Sequence, residues 1–247
     1  MNKFILKTFS PILLAGHISA APIVDIEDIR RSGEVGSFKD LSFALSGSRG
    51  NENRDDIDLS LSFVNNNLNS EKLFVYEKSE RTKDELVEDE SSFMHARILW
   101  KNTDKPFNLE TYFQNSENPF QRYKKREIYG FGVRFSDLKR LKLGLSLLNE
   151  NEKSLSDITK KTNRINIYLF KKFNFENDTS LSITTFVQPS IDEISDDYKY
   201  SISASYRINI SEQFSIKFKL SESYDSDPPD LADESDQAFV TSFNYSF

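Results

Sequence analysis

No cysteine occurs in the 247 residues, and glycine (8), proline (7), methionine (2), histidine (2) and tryptophan (1) are scarce. Without cysteine there is no disulfide framework and no thiolate metal site. Few glycines and prolines argue against a collagen-like or low-complexity chain. Positive charge is also short: 32 Lys and Arg against 39 Asp and Glu give a formal charge of -7, a poor match for nucleic acid. Past the N-terminus no run approaches the roughly 20 apolar residues of a membrane-spanning helix. Strands of a membrane barrel are not excluded by that, because they are only about half apolar.

What is present begins with MNKFILKTFSPILLAGHISAAPIVD. Lys3 and Lys7 precede an apolar stretch around residues 12–15, and Ile18-Ser19-Ala20 ends on a small residue. The pattern predicts a secretory signal peptide over 1–20, cleaved after Ala20 or Ala21. Losing Lys3 and Lys7 takes the charge from -7 to -9. Residues 21–36 read as a periplasmic lead-in and 37–247 as one domain.

From Phe38 onward period-two alternation dominates. Leu41, Phe43 and Leu45 share one face, as do Ile57, Leu59, Leu61 and Phe63, and Leu141, Leu143, Leu145 and Leu147. About twelve such segments begin near Phe38, Asp56, Lys72, Ser92, Phe107, Arg126, Leu141, Asn163, Thr179, Tyr198, Phe214 and Gln237. Connections between them alternate in length: SERTKDELVEDES, NENEKSLSDITKK, SIDEISDD and DSDPPDLADESD read as long loops, while NTDK, SDLKR, NFEND and ISEQ read as short turns. An even number of strands with long loops at one end predicts an all-β, closed antiparallel transmembrane barrel of about twelve strands, with long extracellular loops and short periplasmic turns. Closure follows from hydrocarbon, where every backbone N–H and C=O must be paired. The final alternating strand, with Phe243, Tyr245 and Phe247 on one face, fits a recognition signal for the outer-membrane barrel assembly machinery.

The tail YDSDPPDLADESDQAFVTSFNYSF resembles the C-terminus of the salt-induced outer-membrane protein family, at Tyr224, Asp225, Pro228, Pro229, Asp236 and Phe247. LSFALSGSRGNENRDDIDLSLSF is similar to that family's first hairpin, with Gly50-Asn51 in its loop, and YGFGVRF followed by a Leu-rich strand is similar in pattern. The resemblance spans roughly residues 36–247 and implies an outer-membrane barrel. It assigns no biochemical role.

Chemistry-bearing residues are sparse. His95 is the only histidine left after cleavage at Ala20 or Ala21. In SSFMHARILW it faces inward with Arg97, so we expect a satisfied lumen residue and no enzyme. The faces opposite the apolar stripes carry Arg97, Arg134, Lys142, Arg164, Lys199, Arg207, Lys217 and Lys219 against Asp40, Asp58 and Glu110. An interior leaning basic favours anions. No cofactor is implied. The clustered acids of Asp84 to Glu90 and the later loops lack a calcium-loop pattern and read as a solvated surface, so no metal is assigned. Expected partners are outer-membrane lipids and lipopolysaccharide, the assembly machinery and small solutes, with no nucleic acid. Three functions remain open: a narrow channel for small, anionic solutes; a non-conducting envelope barrel active under salt or osmotic stress; and an outer-membrane hydrolase.

Overall fold

The structure is a computed structural model and describes residues 35–48, 54–119, 123–138, 141–211, 214–229 and 232–245. The expected signal peptide, most of the lead-in, Gly50-Asn51 and Phe247 lie outside these residues. Twelve strands form one antiparallel sheet in sequence order: β1 (Gly36–Ser48), β2 (Arg54–Asn66), β3 (Ser70–Lys83), β4 (Leu86–Trp100), β5 (Phe107–Asn118), β6 (Tyr123–Leu138), β7 (Leu141–Ser154), β8 (Thr159–Asn174), β9 (Thr179–Pro189), β10 (Tyr198–Asn209), β11 (Phe214–Asp225) and β12 (Ser235–Tyr245). The starts at Phe107, Leu141, Thr179, Tyr198 and Phe214 coincide with those expected from alternation. Pairing runs as an unbroken meander from β1 to β12, and among the described residues it stops there without joining β12 to β1.

The long-loop expectation needs correcting. SERTKDELVEDES is not a loop: β3 and β4 continue through it and reverse at Asp84-Glu85. Both residues have positive φ (48° and 68°), as the tight hairpin turn that matches strand twist requires. NENEKSLSDITKK likewise pairs along β7 and β8, leaving only 155–158 between them. These segments are polar on both faces because they extend beyond the apolar part of the sheet. Polarity was misread as irregularity.

Burial inverts the usual rule. Leu41 (72% exposed), Phe43 (58%), Phe131 (60%) and Leu147 (62%) stand on the outer face. Arg126 and Arg164 (1% each), Arg134 and Lys199 (2% each) are sealed on the inner one. Every second residue makes this exchange, so Glu110, Tyr112 and Gln114 point in while Leu109 and Phe113 point out. The outer apolar stretch on β2, from Ile57 to Phe63, covers about 20 Å of strand. A contiguous exposed apolar surface of this kind calls for an apolar partner.

The sheet is strongly rolled. β6 and β10 lie four strands apart, about 19 Å in a flat sheet. Yet Arg126 of β6 and Lys199 of β10 meet on the same oxygen of Glu150 in β7. Lys160 of β8 likewise reaches Asp227, just past the end of β11, at 2.6 Å.

Candidate functional site: the charged inner face

Two layers of side chains fill the inner face. The upper layer lies toward the hairpins β3–β4, β5–β6, β7–β8, β9–β10 and β11–β12. Glu150 is its hub: Oε1 accepts from Arg126 and from Lys199 at 3.1 Å, and Oε2 accepts from Arg164 Nε at 2.7 Å. Glu152 lies 3.6 Å from Arg126 and 3.5 Å from Lys199, and Lys199 also pairs with Asp225 at 3.0 Å. Arg164 reaches Asp197, at the end of the β9–β10 connection, at 2.7 Å. Lys160 joins Asp197 (2.8 Å) to Asp227 (2.6 Å), linking two connections. Burial works to raise the Asp197 carboxyl, but its contacts with Lys160 and Arg164 outweigh that and hold it below the usual carboxylate range. Outward of this layer stand Asn149, Asn151, Asn163 and Glu127, so both faces are polar here. The network sits above the apolar belt.

The lower layer lies at belt height, where the outward neighbours are Val133, Phe135, Ala96 and Ile98. Glu110 Oε2 stands 3.6 Å from Arg97 Nη1 and 4.0 Å from Arg134 Nη1. Arg97 lies over the Tyr112 ring (5.3 Å), Arg134 over Tyr168 (4.9 Å) and Lys142 over Phe170 (5.0 Å). Glycines make room for these rings. Gly130 pairs opposite Tyr112, and a Cβ at Gly130 would come within 2.1 Å of that ring. Gly144 pairs opposite Tyr168. Between the layers a neutral network links Tyr112, Ser146, Asn166 and Gln188 through hydrogen bonds of 2.9–3.4 Å.

All eight expected inner cations occupy the inner face by strand alternation, but the structure divides them. Arg164 and Lys199 belong to the upper network. Arg97, Arg134 and Lys142 belong to the lower layer. Arg207 and Lys217 face each other across β10 and β11, with Lys219 two residues on. The expectation of few inner acids is corrected: Glu71, Glu150, Glu152, Asp197 and Asp225 are buried as well. Glu150 and Glu152 fall in a stretch read as a loop, and Asp197 in one read as a solvated acidic surface. Asp225 was visible only as part of the Tyr-Asp pattern, and the glycine spacing of YGFGVRF was the available signal for the ring pockets. His95 faces inward as expected, and its contacts there are ring faces, Phe93 at 6.2 Å and Tyr112 at 6.0 Å. Phe243 and Tyr245 lie in β12.

The arrangement defines a class: an antiparallel meander, apolar outside and charged inside. A family model described as "Protein of unknown function, DUF481" matches residues 41–247, and the chain belongs to that family. That description contains no link to salt. No curated protein matches the chain. Among solved structures it is similar to the NanC porin at 9% identity, with 85% of this chain and 99% of that one covered and a TM-score of 0.48. It is similar to an anion-selective porin from Comamonas acidovorans at 9% identity, with 86% and 100% covered and a TM-score of 0.39. A FadL homologue from Pseudomonas aeruginosa gives 11% identity, 84% and 73% coverage and a TM-score of 0.39.

Proposed function

We propose that the protein is an outer-membrane β-barrel, closed by pairing β12 with β1, that acts as a narrow channel for small anionic solutes. The observation that carries this reading is the inverted polarity of the rolled sheet, with apolar side chains exposed outside and cations gathered inside at the same height. Hydrocarbon satisfies the outer face, and closure satisfies the backbone of the two edge strands. The strands project well past the belt on the hairpin side, which we assign to the cell exterior, facing lipopolysaccharide. Phe243, Tyr245 and Phe247 are proposed as the signal read by the assembly machinery.

A second reading has its own support. Arg126, Arg164 and Lys199 are buried to within 1–2%, and the Glu150 network spans β6 to β11. Such a plug fits a non-conducting envelope barrel. We read His95, stacked between Phe93 and Tyr112, as a structural group and rank the hydrolase third.

The test is single-channel recording of refolded, full-length protein in a planar bilayer, with reversal potential under a KCl gradient. Discrete steps with anion preference are expected. A protein that runs as a folded, heat-modifiable barrel on gels but never conducts overturns the channel and leaves the plugged barrel.

A further inference from the structure

Strand alternation sends Lys125 of β6, Lys153 of β7 and Lys161 of β8 to the outer face, between the buried Arg126, Glu152, Ser154 and Thr162. All three stand at the hairpin end, beyond the apolar belt. Lys125 pairs directly opposite Lys153, and Lys161, opposite Asn151, lies diagonal to Lys153. Like charges directly opposite on one face of a sheet are destabilising. A bulge at Lys124 brings a fourth ammonium to the same place. Lys124 and Lys153 share the exposed Asp157 carboxylate, at 2.7 and 2.8 Å, so ammonium groups from two strands already converge on one anion. Lys125 pairs with Glu127 at 2.8 Å and also feels the charge of Glu117. Lys161 has no ion pair among the described residues.

Below the lysines lies the apolar belt, with Tyr129 and Phe131 of β6, Leu145 and Leu147 of β7 and Ile167 of β8 exposed on it. Between the two runs a strip of amides, Asn149, Asn151 and Asn163, in which Asn149 Nδ2 donates to Asn163 Oδ1 at 2.9 Å. From Ile165 to Lys161 is about 13 Å along the strand, or about 9 Å in height at a tilt of about 45°. A lysine stem laid along the surface spans much of that distance. Other strands end differently on this side of the sheet. Lys78 of β3 is held by Glu80 and Glu90, while Tyr198, Tyr200 and Tyr224 stack across β10 and β11.

We propose that the outer face of β6–β8 is a docking surface for lipopolysaccharide. Its acyl chains cover the belt, its sugar hydroxyls meet the asparagines, and its headgroup phosphates sit on Lys125, Lys153 and Lys161. A glycolipid carrying several phosphates matches cations spread over three strands better than a single-phosphate glycerolipid does. The inference rests on the reading of the chain as an outer-membrane barrel with its hairpin side outward, and it needs no channel. Asp157 is then the resident anion, with a sign opposite to its neighbours: removing its charge strengthens docking, whereas removing a lysine weakens it.

The experiment is equilibrium binding of fluorescent lipopolysaccharide to refolded, full-length protein in a neutral detergent, competed in parallel with phosphatidylglycerol and with inorganic phosphate. Heat-modifiable gel migration verifies the fold of each variant. Lys125→Gln, Lys153→Gln and Lys161→Gln are each expected to weaken binding about threefold, the scale of one exposed charge contact, and the triple variant about thirtyfold. Asp157→Asn suits the φ of 65° at that position and releases Lys124 and Lys153, so it is expected to tighten binding about threefold. Lys78→Gln, outside the surface, is expected to change nothing. A folded triple variant that binds as wild type does overturns the surface, as does an Asp157→Asn that weakens binding. A loss as large in Lys78→Gln reveals a diffuse charge effect and overturns it too. Phosphatidylglycerol or inorganic phosphate competing as well as unlabelled lipopolysaccharide overturns the choice of glycolipid. A chain that never migrates as a folded barrel overturns the barrel reading and this surface with it, whereas a barrel that binds and never conducts refutes only the channel.

Discussion

The two layers of the inner face solve the same problem, buried charge, in different ways. In the upper layer cations and carboxylates interlock at 2.6–3.1 Å, and five elements meet through Glu150 and Asp197. In the lower layer cations rest on aromatic rings, and their shared carboxylate stays beyond hydrogen-bond reach. The first arrangement sets four cations against five carboxylates and is buried except at Lys160 and Asp227. The second rests its cations on ring faces, with Glu110 Oε2 standing 3.6 and 4.0 Å from two of them.

Breaking the hub should have the largest effect. Glu150→Ala leaves Arg126, Arg164 and Lys199 buried around an empty position, and truncating one partner of a buried ion network costs roughly 3–5 kcal/mol. Urea titration followed by heat-modifiable migration should show that loss. A change under about 1 kcal/mol would mean that the cations find other partners.

Next comes the lower layer's packing. Gly130→Ala places a methyl within 2.1 Å of the Tyr112 ring. The ring must move, at a cost of about 1–3 kcal/mol, and Arg97 loses its support. Unchanged stability in urea titration would show that the Tyr112 ring has room to shift.

The smallest effect is that of acid on the upper layer. The Asp197 carboxyl is held low in the folded protein, so its contribution is fully present above the ordinary carboxylate value near 4 and is lost as pH falls through the lower folded value. Stability measured from pH 6 down to pH 2 should decline, and Asp197→Asn should flatten part of that decline. An identical profile in the variant would remove Asp197 from the account.

Much of the fold was legible because alternation needs no tertiary knowledge. Leu141 to Leu147, every second residue apolar, can only be a strand with one oily face. The starts at Leu86 and Thr159 were placed late, at Ser92 and Asn163, because both faces of those segments are polar. Once a strand leaves the apolar belt, the two-faced pattern that reveals it vanishes.

The site was legible only by halves. Inward direction follows from parity, so Arg97, Arg134 and Glu110 were found on their face from residue numbers alone. Parity cannot say which inward groups meet. Glu150 and Lys199 are 49 residues and three strands apart, and only the curl of the sheet brings them to 3.1 Å. The sequence by itself determined the strands and the polarity of each face, because side-chain direction in a strand is local. The tertiary structure alone decided which charges meet, because that depends on distances across a rolled sheet.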